Sequence, residues 1–258
     1  MSRLLRNHSA GETKHPVAES AGKLTIAATP IGNLEDITLR ALRAMKEADT
    51  ILAEDTRRTR ILCSRFNIST RLESYHIYNE HGRTPELIRR IKSGEKIVLV
   101  SDAGMPCIAD PGFLLVRDAV EAGIEPEILP GASALIFSIA VSALPSDRFA
   151  FYGFLPVKSG RRAARLREIA ASKMTAVVFE SPYRLSKLLK EIPEYFGKET
   201  PVVVVREATK VHQEILRGSA EELEKKYASR SWKGECVVII GAPEEDLSPE
   251  DESEEHHE

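Results

Sequence analysis

The chain has 258 residues, of which 42% are hydrophobic, 29% charged and only 6% aromatic. That composition excludes fibrous and wholly disordered chains and fits a soluble globular protein of one large or two small domains. The 36 basic and 39 acidic residues leave a net charge of −3. The charge is unevenly spread: Ala242 to Glu258 holds nine acidic residues and no Lys or Arg, so the rest of the chain carries +6.

In chain order, residues 1–22 contain Arg3 and Arg6 but no apolar signal-like run, and read as a disordered leader. Leu24 to Ala28 reads as a strand running into the turn Thr29-Pro30-Ile31-Gly32-Asn33. Thr38 is placed to cap a helix with Leu39, Leu42 and Met45 at helical spacing. A strand Thr50 to Ala53 ends at Glu54-Asp55-Thr56-Arg57, and a helix follows through Ile61, Leu62 and Phe66. Next come a short strand near Leu72, the pair Tyr75-His76, and a helix expected to start at Pro85 and stop at Gly94. The strand Ile97 to Val100 enters a second turn, Ser101-Asp102-Ala103-Gly104-Met105-Pro106. Pro111 opens a helix carrying Phe113 to Val120. The strand Glu127 to Leu129 enters a third turn, Pro130-Gly131-Ala132-Ser133. The segment Ala134 to Leu144 is apolar nearly all round, which predicts a buried helix.

The pattern changes near Leu144-Pro145-Ser146-Asp147-Arg148, so we expect domains at 23–144 and 145–241, with residues 242–258 a disordered acidic tail. The second domain is expected to hold strands at Phe149 to Leu155, Thr175 to Phe179, Pro201 to Val205, Val211 to Leu216 and Cys236 to Ile240. Its helices fall at Ser159 to Ala171, from Pro182 through Leu189, and in a charged stretch before Cys236. Alternating strands and helices predict an α/β fold with a mostly parallel N-terminal sheet. Consecutive strands between Pro201 and Leu216 predict antiparallel pairing, hence a mixed C-terminal sheet.

Three Pro/Gly turns at strand ends form a ligand crevice, because open α/β sheets bind ligands beyond the carboxyl ends of their strands. None matches the G-x-G-x-x-G fingerprint and no Walker lysine is present, so a nucleoside such as S-adenosylmethionine suits the turns better than NAD or ATP. Cys63, Cys107 and Cys236 are widely spaced with no C-x-x-C pair, which suggests neither a metal nor disulfides and makes the reducing cytoplasm the expected compartment. No apolar run approaches a membrane span. The basic cluster Lys158-Ser159-Gly160-Arg161-Arg162, with Arg165 and Arg167, fits either a solvated helix face or a phosphate-binding surface.

The blocks Thr29-Pro30-Ile31-Gly32-Asn33-Leu34, Ala53-Glu54-Asp55-Thr56-Arg57, Val100 to Pro106 with Asp110-Pro111-Gly112, Leu144 to Phe149 and Gly153-Phe154-Leu155-Pro156 resemble the ribosomal RNA small subunit methyltransferase I family of tetrapyrrole methylases. The later pieces Glu180 to Leu185, Val205 to Lys210 and Lys233-Gly234-Glu235 resemble it too, so the likeness runs from about Leu24 to Gly241. The resemblance implies two α/β domains with S-adenosylmethionine in the cleft between them, usually in a homodimer. It also implies methyl transfer to the ribose 2′-oxygen of a decoding-centre cytidine in 16S ribosomal RNA or the 30S subunit. By motif, Pro30, Gly32, Asp102, Ala103, Gly104, Pro106, Ser133 and Ala134 are expected to line the cofactor, with Phe154, Ser181, Arg206, Ala208 and Thr209 closing over it. Two features depart from the family: the acidic tail stands where relatives commonly carry a further helical region, and the third turn is closer to small-molecule methylases of the fold. A small-molecule tetrapyrrole methylase is therefore the rival reading, and a non-catalytic nucleotide-binding module a more distant one.

A ribose hydroxyl is a poor nucleophile at neutral pH, so a group that accepts its proton would help. Glu54 and Asp55 at one strand end and Glu207 and Lys210 at the facing one are the catalytic candidates, with Asp102, His76 and Glu180 as further possibilities; for Glu54 and Asp55 a structural ion pair with Arg57 or Arg58 fits equally. The RNA-facing candidates are Arg57, Arg161, Arg162, Arg165 and Lys233.

Overall fold

The structure, a computed structural model, describes residues 22–242; the expected leader and nearly all of the acidic tail lie outside the described residues. The chain builds two five-stranded sheets. The first is formed by β1 (Lys23–Ala27), β2 (Thr50–Ala53), β3 (Arg71–Ser74), β4 (Lys96–Val100) and β5 (Glu127–Leu129), in the order β3-β2-β4-β1-β5, with all four pairings parallel. A parallel strand covered on both faces must be apolar on both, which is why β4 runs Ile97-Val98-Leu99-Val100 and β2 sets Ile51 and Leu52 side by side. Ile51 and Val98 face one layer with Met45 and Leu62, whereas Leu52 and Leu99 face the other with Leu87 and Leu115. Helices α1 (Leu39–Glu47) and α2 (Thr56–Arg65) therefore cover one face, and α3 (Glu80–Lys92) and α4 (Phe113–Glu121) cover the other.

Thr38 caps α1 as expected, its hydroxyl accepting from the Ala41 N–H at 3.1 Å. Helix α3 starts five residues before Pro85. Asn79 closes the preceding turn by accepting from the His76 N–H at 2.8 Å, and the Thr84 hydroxyl donates to the Glu80 carbonyl at 2.7 Å. These local bonds organise the first turn, so Pro85 stands inside the helix instead of opening it.

The second sheet contains β6 (Phe149–Phe154), β7 (Thr175–Glu180), β8 (Pro201–Arg206), β9 (Glu214–Ser219) and β10 (Cys236–Ile240) in the order β6-β7-β10-β8-β9. Only β6 and β7 pair parallel, so the sheet is mixed as expected. Helices α6 (Ser159–Ala171), α7 (Pro182–Phe196) and α8 (Ala220–Tyr227) bury Leu166, Leu188 and Leu223 against its outer face. Strand β9 starts three residues later than expected. Glu207 and Thr209 adopt left-handed backbone, the turn continues through Gln213, and Val211 is left 96% exposed.

The inner face of the second sheet is covered by α5 (Ala134–Ser142), which Ser133 caps. Ile139 of α5 packs against Val177, Val203, Val205, Val237 and Ile239. The helix is not buried all round: Ile136 is 55% exposed, because sheet contacts one side of the helix only. The Arg217 guanidinium donates to the Val141 and Ser142 carbonyls at the end of α5, which further ties it to β9.

Candidate active site

The carboxyl ends of β1, β4 and β5 face the ends of β6, β7, β8 and β10, enclosing a cavity of about 450 Å³. Its first wall is backbone. The Thr29 N–H donates to the Gly104 carbonyl at 2.9 Å and the Gly104 N–H returns to Thr29 at 3.0 Å, locking the first two turns together. Gly104 has φ +84°, left-handed backbone that any side chain would strain. The Thr29 hydroxyl donates to the Ser101 carbonyl and the Ser101 hydroxyl to Gly104, holding the second turn from within. The opposite wall is apolar, with Phe154 set edge-on to Phe179 at 5.6 Å and Val205 and Val237 behind them.

Of the residues expected to hold the cofactor, Asp102, Ala103, Gly104, Ser133 and Ala134 line this cavity from one side and Phe154, Ser181 and Ala208 from the other. Pro30, Gly32, Pro106, Arg206 and Thr209 do not. Pro106 is buried, and Ile31 is the residue of the first turn that reaches the cavity. Gly32 instead seals the cleft edge: a Cβ there would lie 2.4 Å from Lys210 Cγ and 2.6 Å from Thr209 Oγ1. Thr209 lines a neighbouring groove with Ser133, Ile136 and Phe137. Arg206 pairs with Glu214 at 3.0 Å and donates to the His212 carbonyl at 2.9 Å, fastening the turn after β8.

The four catalytic candidates separate. Glu54 lines the cavity. Asp55 caps α2, accepting from the Arg57 N–H at 2.9 Å and from Nε and Nη2 of its guanidinium, and this holds its carboxyl down at about 2. Its backbone N–H donates to Asp102 at 3.0 Å. Glu207 and Lys210 pair at 2.8 Å, and Lys210 also reaches Glu235 at 3.1 Å. Burial of Glu207 is outweighed by that ammonium and by the Glu235 N–H, so its pKa falls. Lys210 is likewise partly buried, yet its two carboxylates raise it.

Glu54 is raised above an ordinary carboxylate, first by burial and then by Asp102, against the pull of Arg58 and His76. Asp110 is the residue that sequence reasoning passed over. It lines the same cavity and is pushed up to about 7, first by burial, then by Glu54, with the Ser101 hydroxyl opposing and Asp102 and Glu235 adding. Its aspect was unreadable beforehand, since it follows two non-glycine residues in left-handed backbone, Cys107 (φ 71°) and Ala109 (φ 63°). The only available signal was the block Asp110-Pro111-Gly112 itself.

Arg162 is not on the surface: its side chain is 2% exposed and donates to Glu180 at 2.8 Å and Glu191 at 2.7 Å. A guanidinium so enclosed is a structural cation beneath the cavity, not a phosphate ligand. Arg161 and Lys233 are exposed, Arg165 stands near Glu168 at 3.3 Å, and Arg57 is exposed beside Asp55.

Residues 23–224 match the family Tetrapyrrole (Corrin/Porphyrin) Methylases. The chain belongs to the tetrapyrrole methylase family. It is 44% identical over 223 residues to the ribosomal RNA small subunit methyltransferase I of Thermotoga maritima, covering 86% of this chain and all of that one. The protein of the same name from Pseudomonas aeruginosa is 43% identical over 230 residues, covering 87% of this chain and 82% of that one. Among solved structures, uroporphyrin-III C-methyltransferase from Thermus thermophilus complexed with S-adenosylhomocysteine superposes with a TM-score of 0.61 at 21% identity, covering 85% of this chain and 97% of that one. Diphthine synthase superposes with a TM-score of 0.66 at 18% identity over 84% and 89% of the two chains. These last two share the fold.

The donor set of this methylase fits a cationic nucleoside. Glu54, Asp102, Asp110, Glu180 and Glu235 line the cavity against Arg58 alone of the basic residues, Glu180 being paired with Arg162 and Arg184. Those carboxylates suit a sulfonium and an ammonium and repel a phosphate, while Phe154 and Phe179 give an apolar wall for a purine.

Proposed function

We propose that this chain uses S-adenosylmethionine to methylate the 2′-oxygen of a cytidine ribose in the decoding centre of 16S ribosomal RNA. The observation that carries the reading is the likeness to the full length of a bacterial ribosomal RNA small subunit methyltransferase. The acidic, apolar-walled cavity supports the cofactor.

S-adenosylmethionine, when bound, supplies a methyl group on a positively charged sulfur. The residues of the chain do the rest. The backbone of Asp102 to Met105, with Ser133 and Ala134, binds and orients the cofactor from the first sheet. Phe154, Phe179 and Ala208 exclude water from the second. Holding the ribose hydroxyl in place beside the bound methyl donor would be the larger part of the catalysis. Asp110 accepts the hydroxyl proton: a carboxylate that ionises near neutrality is matched to that task, and Glu54 beside it sustains the raised affinity for a proton. The proton released as the ribose oxygen takes the methyl group would pass to the Asp110 carboxylate. Glu207 and Lys210 hold the turn after β8 against Gly32, keeping the cleft edge shut.

The family resemblance also supports a cytoplasmic homodimer, for which Ile128 on edge strand β5 and Ile136 on α5 offer exposed apolar surface. No helix among the described residues is long and apolar enough to cross a membrane. Incubation with methyl-labelled S-adenosylmethionine and, in parallel, naked 16S RNA, 30S particles and a tetrapyrrole tests the reading. Label in ribosomal RNA is expected, and label in the tetrapyrrole alone would replace it with small-molecule methylation.

A further inference from the structure

We propose that the outer rim of the first sheet, made by α2 and the loop between β3 and α3, is a docking surface for single-stranded RNA. One base stacks on Tyr78, and phosphates meet Arg57, Arg60 and Arg65. The inference rests on the RNA reading above and adds where the strand lies.

Helix α2 carries Arg57, Arg58, Arg60 and Arg65. Residues three, four, seven and eight apart share one helix face, so Arg57, Arg60, Ile61, Ser64 and Arg65 form a single stripe. With Asn67 they line a shallow groove in the surface. No residue lining it is acidic. Asp55 at the helix start partly neutralises Arg57, whereas Arg60 and Arg65 have no carboxylate partner among the described residues. Ile61, an apolar residue, is 69% exposed in the middle of this basic stripe. A basic groove with an apolar floor is suited to a chain of phosphates carrying unpaired bases.

The β3–α3 loop adds the aromatic element. Tyr78 is 95% exposed, with Ile77 exposed beside it. The Tyr78 ring stands edge-on to His76 at 6.0 Å. That loop is seated on the strand end that carries Glu54: Ala53 pairs with Ser74 in the sheet, and the Tyr75 N–H donates to the Ala53 carbonyl at 2.9 Å. Arg58, in the first turn of the same helix, pairs with Asp102 at 3.4 Å in the cavity wall. Both elements thus adjoin the end of β2, where Glu54 follows Ala53 and α2 begins at Thr56, so a strand laid along them passes beside the cavity. An exposed aromatic ring and a basic groove on adjoining elements favour a single strand, because stacking needs free base faces.

Fluorescence anisotropy of the full chain with a fluorescein-labelled RNA dodecamer over a salt series tests this. Arg57→Glu with Arg60→Glu is expected to raise Kd by about tenfold or more and to flatten the log–log salt slope by about 1.4, the value for two phosphates on a single strand. Tyr78→Ala is expected to weaken binding roughly 5- to 100-fold, and Tyr78→Phe to restore it, since stacking needs the ring and not the hydroxyl. Wild-type affinity in both the double variant and Tyr78→Ala would overturn the proposal. So would failure of the wild-type chain to bind the RNA at low salt, or tighter binding of duplex than of single strand. Methyl incorporation into 30S particles is measured separately: correct RNA binding without incorporation would overturn the methylation reading and leave this surface standing, and incorporation undiminished in the variants would do the reverse.

Discussion

Arg162→Ala should unfold the second half of the molecule more readily without touching RNA. The Arg162 and Glu180 side chains are 2% and 0% exposed and 2.8 Å apart, with Glu191 on the far side of the guanidinium at 2.7 Å. Removing one partner of a buried pair costs about 3–5 kcal/mol, because the other charge stays buried. Glu180 keeps Arg184 at 2.7 Å and the Ser181 N–H at 2.8 Å, which puts the expected loss near the lower end, about 3 kcal/mol. That is a large share of the roughly 5–15 kcal/mol by which domains are stable. The single tryptophan, Trp232, is buried in the same layer as Leu166 and Leu188, so its fluorescence reports the transition during urea unfolding. The midpoint should fall with the slope unchanged, and folded variant should bind RNA as the wild-type chain does. A variant of wild-type stability with tenfold weaker RNA binding would refute the reasoning and return Arg162 to the surface.

Three further outcomes follow from the cavity. Asp110, raised from 3.8 to about 7, contributes stability that is fully present below pH 3.8 and is lost as pH rises through 7. Asp110→Asn removes that dependence, so the variant should gain about 2 kcal/mol on wild type between pH 4 and pH 8, half the full linkage value because the carboxyl is partly solvated; urea midpoints at each pH that move in parallel would contradict it. Asp110→Asn should lower single-turnover methyl transfer by about 10²-fold or more, Glu54→Gln by less, and Asp55→Asn, which keeps a cap for α2, should stay within a few-fold of wild type; a larger loss in Glu54→Gln than in Asp110→Asn would make Glu54 the proton acceptor. Gly32→Val should weaken S-adenosylmethionine binding by about tenfold or more in calorimetry by wedging the first turn off Lys210 and Thr209, and unchanged affinity would show that the cleft edge is not part of the site.

What the sequence showed of this fold was mainly its periodicity. Runs such as Ile97 to Val100, short, β-branched and bounded by turn residues, read as strands buried on both faces, and Ser159 to Ala171 forms a helix over the very span its spacing predicts. The crevice was legible because Pro and Gly end β1, β4 and β5 alike. Burial of charge was not. Arg162 sits in the polar run Lys158-Ser159-Gly160-Arg161-Arg162, and only the arrival of Glu180 from β7 and Glu191 from α7 turns it inward. Helix α5 failed in the opposite sense, for its apolar sequence says nothing about how many sides a sheet will cover. The site chemistry was split in the same way. Glu54 and Asp55 are neighbours in sequence, but the strand end aims one into the cavity while the helix start spends the other on its cap.

The most direct test of the central claim is mass mapping of the methyl group. Unmodified 30S particles are treated with the chain and S-adenosylmethionine, and nuclease fragments of 16S RNA are then sequenced by mass spectrometry. The account predicts one added methyl on the ribose of a decoding-centre cytidine, absent when Asp110→Asn replaces the wild-type chain. A methyl on a base, on a nucleotide elsewhere, or on no ribosomal RNA at all would contradict it.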